Sequence, residues 1–161
     1  MSELFHNALV HISMDLVGGT SVAQALLTDL AKAGSIQRLS SVYKRYHSKN
    51  RVDLNASIEA VLLFHTEAAV DEMLWRFRQL TKDKKVFLNL LSYDDLVVLS
   101  PQLTLPHPSL HADFLIVRCA SEAWPDFEHP IMQKTLREIA ASTLPPVDAE
   151  FFLQGKSLVD F

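Results

Sequence analysis

With Cys119 as its one cysteine in 161 residues, the chain has no means of closing a disulfide within itself. Cys119 lies in the apolar run Phe114-Leu115-Ile116-Val117-Arg118-Cys119-Ala120, with no sequence neighbour that would form a thiolate pair or triad, so a buried, inert thiol is expected. Long hydrophobic runs are missing as well. Stretches such as Ala60-Val61-Leu62-Leu63-Phe64 fall far short of the ~20 residues that cross a bilayer, and no membrane partner is expected. Nor is there an excess of basic charge. Lys and Arg number 15 against 19 Asp and Glu, and the resulting net charge of −4 offers no field for a phosphate backbone, so nucleic acid is not the expected partner. Met1 to Asn7 lack a basic stretch followed by an apolar core, so no secretory signal is read there and the expected location is cytoplasmic. Internal repeats, low-complexity tracts and linkers are also lacking.

What is present is a 48% hydrophobic, 21% charged composition at the size of one compact domain, expected to span residues 1–161. Ala8 to Ser13 reads as a strand, followed by a turn-rich stretch from Asp15 to Gly19. Ser21 and Gln24 have capping-box spacing ahead of Val22, Ala25, Leu26, Leu30 and Ala33, which predicts a first helix ended by Gly34. Ile36 to Tyr46 and Leu54 to Phe64 are long β-leaning runs around the cationic stretch His47-Ser48-Lys49-Asn50-Arg51, and predict a hairpin with a long loop. Thr66 is a plausible N-cap for a second helix with an apolar stripe at Val70, Met73, Leu74, Phe77 and Leu80. Val86 to Ser92 then reads as a fourth strand. A small extra hairpin is predicted from Val97-Val98 and Leu103-Thr104-Leu105 across Ser100-Pro101-Gln102. Two C-terminal helices are predicted over Phe114 to Ala123 and Ile131 to Ala141, the second started by the His129-Pro130 break. The order βαββαβ predicts an α+β fold, with a ferredoxin-like core in which an antiparallel sheet is backed by two helices on one face.

The segment Leu103-Thr104-Leu105-Pro106-His107-Pro108-Ser109-Leu110-His111-Ala112-Asp113-Phe114 resembles the Leu-Thr-Leu-Pro-His-Pro-x-x-His-x-Arg-x-Phe signature of the 6-hydroxymethyl-7,8-dihydropterin pyrophosphokinases (HPPK). The register extends outward from it. Ala8 to Leu16 sits where that family has a strand followed by Gly-Ser-Asn-Leu, Ser40-Ser41-Val42-Tyr43 is similar to its Ser-Ser-x-Tyr, and Asp53-Leu54-Asn55-Ala56 to its aromatic-Leu-Asn-Ala. Lys84 to Tyr93 occupies the place of Pro-Arg-Thr-Leu-Asp-Leu-Asp-Ile. The resemblance implies the family's fold and, for an intact member, transfer of diphosphate from ATP to a pterin alcohol in the folate pathway.

The chemistry implied by the resemblance depends on an Asp-x-Asp pair on one strand, whose alternate residues reach two magnesium ions on the ATP phosphates. The matching positions are Phe87 and Asn89. A phenyl ring cannot ligate magnesium, and an amide is neutral where the ion prefers anionic oxygen. The family's arginine-rich loop is reduced to Lys82, Lys84 and Lys85, and the arginine ahead of Phe114 is replaced in the neighbourhood of Ala112 and Asp113, where a carboxylate would repel phosphate. Thr-Pro-Pro after Tyr43 is replaced by Arg45-Tyr46-His47. By resemblance, Asn55 and Phe114, with Asp53 in the place of the family's aromatic, are the candidates for a pterin-like ligand, and His107, Pro108 and Lys84 for a nucleotide.

The expected function is therefore that of a divergent homologue which has lost magnesium-dependent transfer and binds a small planar ligand or a protein segment, with no cofactor. The alternative is an active diphosphokinase using ATP and magnesium through relocated acids such as Asp15, Asp94 or Asp95. Other constellations have plainer readings. His107, His111 and Asp113 could suggest a metal cluster, but Pro108 breaks a helical i, i+4 pair and the signature accounts for them; no metal site is assigned. Gly155-Lys156-Ser157 lacks the first glycine and the strand-to-helix setting of a P-loop. His11, mid-strand, reads as a satisfied histidine of the sheet face rather than a general base. Trp75, Arg76 and Arg78 read as a solvated helix face.

Overall fold

The computed structural model describes residues 5–51, 55–82 and 84–159. Its centre is an antiparallel sheet in the order β5 (Val86–Tyr93), β1 (His6–Asp15), β4 (Ala56–Thr66), β3 (Val42–Tyr46) and β8 (Ala149–Leu153), with β2 (Ser35–Leu39) also paired to β4. Apart from β8, this is the antiparallel sheet of a ferredoxin-like βαββαβ core, as expected. The small extra hairpin is present as β6 (Val98–Leu99) and β7 (Thr104–Leu105).

Alternation along the strands decides what each face buries. Val10, Ile12 and Met14 of β1 and Ile58, Ala60 and Leu62 of β4 point to one face, where α1 (Gly19–Leu30) and α2 (Val70–Thr81) bring Ala23, Leu26, Leu27, Leu30, Met73 and Phe77. On the opposite face Leu9, Val61 and Leu91 pack under α4 (Phe114–Ala123) and α5 (Leu136–Ala141), which contribute Leu115, Ile116, Cys119, Ala120, Leu136 and Ile139. Cys119 is fully buried, and burial pushes its thiol pKa up, consistent with an inert residue.

Several local expectations are corrected. The first helix starts at Gly19 behind Gly18, whose φ of 72° suits glycine, and no side chain caps it, so Ser21 and Gln24 form no capping box. That helix ends at Leu30. Gly34 lies beyond, where a Cβ would meet the His65 carbonyl oxygen at 2.5 Å. The predicted run Ile36 to Tyr46 is broken at Ser40-Ser41, because the Ser40 backbone N–H donates to the Val61 carbonyl (2.9 Å) while its Oγ accepts from the Val61 N–H (3.0 Å). The hairpin of β3 with β4 is as expected, although Leu54, the predicted start of the second strand, lies outside the described residues. Thr66 does not cap α2: its hydroxyl donates to the Ala33 carbonyl (2.9 Å) and accepts from the Ala68 N–H (3.1 Å), and the cap is Ala69, with Asp71 and Glu72 complementing the helix dipole.

The last helix covers only Leu136–Ala141, started by a capping box between Thr135 and Glu138 rather than by His129-Pro130. A short helix, α3 (Ser109–Ala112), precedes α4. Strand β8 was not anticipated and pairs with β3 at the sheet's edge. Gly155-Lys156-Ser157 is a single 3-10 turn after β8. A Cβ at Gly155 would collide with the Ser40 carbonyl, so that glycine permits close packing and not phosphate binding.

Candidate functional site

The face that α4 covers at one end of the sheet turns polar toward the other. In register after Leu9, Val61 and Leu91 come His11 beside Asn89, then Ser13 between Glu59 and Phe87, then Asp15 beside Ser57, with Arg45 of β3 on the far side of Ser57. Glu59 and Ser57 are buried, at 3% and 6% exposure. Strand geometry alone thus sets a row of chemically active side chains on one surface.

Asn89, His11, Glu59 and Ser57 of this row, with His47, form one hydrogen-bonded chain. Ser57 Oγ donates to Glu59 Oε2 (2.7 Å), so the contact of His47 Nε2 with Ser57 Oγ (2.9 Å) needs an N–H on the imidazole. His11 Nε2 donates to Glu59 Oε1 (2.7 Å), and the Asn89 amide nitrogen lies 3.2 Å from His11 Nδ1, which accepts from it when the ring is neutral. Burial acts to raise the Glu59 carboxyl pKa. The His11 hydrogen bond, the charges of His11 and Arg45, and the Ser57 hydroxyl outweigh it and hold the group below the usual carboxylate range.

Arg45 joins this floor to α4. Its two terminal nitrogens make a bidentate pair with Asp113 (3.0 and 2.6 Å), whose Oδ1 also caps α4 by accepting from the Leu115 and Ile116 N–H groups (3.1 and 3.3 Å). The Asp113 carboxyl pKa is raised by burial but lowered by more through Arg45 and the two backbone donors. Arg45 Nε lies 3.8 Å from Glu59 and 3.9 Å from Asp148, close enough for charge attraction but too far for a hydrogen bond, and it is buried without a hydrogen-bond partner. Asp113 is therefore neutralised internally and does not stand as a free charge against an anion.

A cleft of about 470 Å³ opens at this polar end. Ser13, Ser57 and His47 come from the floor, Phe87 from β5, Lys84 and Lys85 from the turn before β5, and Asp15 from the end of β1. Phe87 is 65% exposed, an unusual state for a phenyl ring on a strand.

The sequence candidates are only partly gathered here. Phe87 and Lys84 line the cleft, and Asn89 lies next along the same face of β5, engaged with His11. His107 sits near His11: burial and the His11 charge both depress its pKa, and its Nδ1 accepts the Ser109 N–H (3.1 Å). Pro108 is exposed at the start of α3. Phe114, 40% exposed, lines a different cleft of about 440 Å³ with Arg118, Arg137 and Pro145, and Asn55 does not line it. Asn55 is exposed beside His47, whose N–H donates to its carbonyl oxygen (3.0 Å). Asp53 lies outside the described residues. Among the alternative acids, Asp15 is at the cleft. Asp94 is held by His6 Nδ1 (2.7 Å) and the Asn7 N–H (2.9 Å) at the other end of β1, about 30 Å away at ~3.3 Å per strand residue, with Asp95 next to it. They cannot share an ion. Sequence reasoning missed Glu59, Ser57 and Arg45; the one available signal was an acid inside the apolar run Ala56 to Phe64.

No family model matches the chain, and no curated protein does. Solved structures do. A triple mutant of Plasmodium falciparum HPPK-DHPS with SDX-DHP superposes with a TM-score of 0.70 at 10% identity, covering 94% of this chain and 47% of that one. The wild type with pterin and p-hydroxybenzoate gives 0.70 at 10%, covering 91% and 46%, and a single mutant with pteroate gives 0.67 at 12%, covering 85% and 43%. The likeness is one of fold. This chain spans just under half the length of those it matches.

The two magnesium ions that the resemblance implied do not suit the residues present. Phe87 offers no donor atom, Asn89 turns its amide nitrogen to His11, and Glu59 is buried with each oxygen already engaged, one by His11 and one by Ser57. Among the described residues no three His, Cys, Asp or Glu side chains are grouped to hold a metal ion. No helix among them is long and apolar enough to cross a membrane.

Proposed function

We propose that this chain is a binding domain built on the HPPK fold, which holds a small planar anion in the cleft between Phe87, His47 and the Lys84-Lys85 turn and does not transfer diphosphate. The observation that carries this reading is the composition of β5: at the two same-face positions where two carboxylates would hold metal stand an exposed phenyl ring and an amide committed to a histidine. The exposed ring offers a face for stacking, while the lysines offer donors and positive charge. Phosphoryl transfer relies on positioned charge, and a site without metal carboxylates or arginines supplies little of it.

Benzoate, a planar carboxylate, is the direct probe. Binding followed by amide shifts in a ¹⁵N-labelled sample is expected at Phe87, His47 and Lys85, weakened at least fivefold in Phe87→Ala; shifts confined to the α4–α5 cleft would refute the placement. The active-enzyme reading keeps Asp15 alone of its three acids, and one carboxylate is a poor clamp for two ions.

A further inference from the structure

The cleft at the end of the sheet has a second arm on the opposite side. Met14, Asp15, Lys84 and Lys85 line it as they line the first, and from there it runs over α1 between Val17, Val22 and Ala25, with a volume of about 470 Å³. The two arms thus meet at the lysine turn, one with His47 and two serines, the other with three small apolar side chains. Val17 and Val22 are 69% and 39% exposed, so this apolar surface stands open to solvent, and the arm's volume falls in the ~300–1,000 Å³ range of ligand sites.

From this arrangement we infer that the anion-binding lysine turn also takes an amphipathic monoanion: a carboxylate head at Lys84 and Lys85 with a medium-length alkyl or aryl body in the α1 arm. The inference rests on the proposed anion-binding cleft and adds the ligand's class. Charge counting selects the head. Among the described residues shared by the two arms, two ammonium groups face one carboxylate, Asp15, leaving a single net positive charge; neither lysine has an ion-pair partner among the described residues. A monocarboxylate is matched by that charge, and a polyphosphate is not. Apolar burial selects the body. A tail in contact with Val17, Val22 and Ala25 leaves water together with the exposed valines, and affinity should rise with each methylene that finds the arm. A lysine's aliphatic stem also gives the head region apolar walls.

The test is a titration of the ¹⁵N-labelled protein with octanoate and butyrate, which share a head and differ in body. Octanoate is expected to bind at least tenfold more tightly and to shift the amides of Val17, Val22 and Ala25, which butyrate leaves unmoved. The double variant Lys84→Gln, Lys85→Gln should weaken octanoate at least fivefold. Ala25→Trp, at an exposed helix position, should fill the arm and abolish the preference for octanoate while leaving the melting temperature as it was. Equal affinities for the two acids, octanoate shifts elsewhere, or an unaffected double variant would overturn the inference. Equal affinities with benzoate still bound would leave the proposed cleft standing, whereas loss of benzoate binding as well would remove both.

Discussion

Replacing Glu59 by glutamine tests whether the polar floor is held by a buried carboxylate. The side chain is 3% exposed and accepts two bonds at 2.7 Å, from His11 and Ser57, with Arg45 at 3.8 Å. Glutamine keeps the shape but turns one acceptor into a donor, which then faces either the His11 N–H or the Ser57 hydroxyl. A hydrogen bond to a charged group contributes about 1.5–3 kcal/mol, and a buried group left facing a like partner costs more, so the variant should lose about 2–4 kcal/mol. That is a large part of the ~5–15 kcal/mol that holds a domain folded and should lower the melting temperature by about 4–16 °C. The pH dependence carries a sign. Glu59 has a folded pKa below its reference value of 4.5, so its stabilisation is complete above that value and is lost as pH falls through the folded pKa. The gap between parent and variant, read by urea denaturation, should be constant from neutral pH down to about pH 5.5 and shrink below about pH 4. A gap under about 0.5 kcal/mol at pH 7, or one that widens in acid, would refute the buried-carboxylate account.

Asp113→Ala removes both the α4 cap and the partner of Arg45, and should cost about 2–4 kcal/mol in thermal denaturation; Asp113→Asn, which retains capping, should cost less. Cys119 should resist a thiol reagent at pH 8 in the native state and react only as fast as the protein unfolds. The double change Phe87→Asp, Asn89→Asp should leave magnesium-dependent turnover well below the ~1 s⁻¹ of ordinary enzymes, because the arginines of the transfer site are absent too and such groups act as a unit.

The core elements were legible because their signals are local. Alternation of Val10, Ile12 and Met14, the apolar stripe through Met73 and Phe77, and the apolar run from Phe114 each report a period that burial then uses. Boundaries failed where a longer-range contact overrode local chemistry. Thr66 is drawn to the Ala33 carbonyl, Ser40 splits a continuous β run by bonding Val61, and Thr135 with Glu138 makes a better start than Pro130. Strand β8 escaped notice because the exposed Glu150 and Phe151 give it no buried face, and only its pairing to β3 makes it a strand. The resemblance located Phe87, Asn89 and Lys84 by position. It could not reveal the Glu59 network, whose members come from β1, β3, β4 and β5 and meet only in the folded sheet, nor that Phe114 lines a cleft that Asn55 does not.

The central claim is most directly tested by incubating the purified chain with ATP, magnesium and 6-hydroxymethyl-7,8-dihydropterin and measuring AMP. The account predicts no magnesium-dependent AMP above the rate without protein. Turnover near or above ~1 s⁻¹ would contradict it, since that rate requires a charge-stabilised transfer site which Phe87, Asn89 and the lysine turn do not provide.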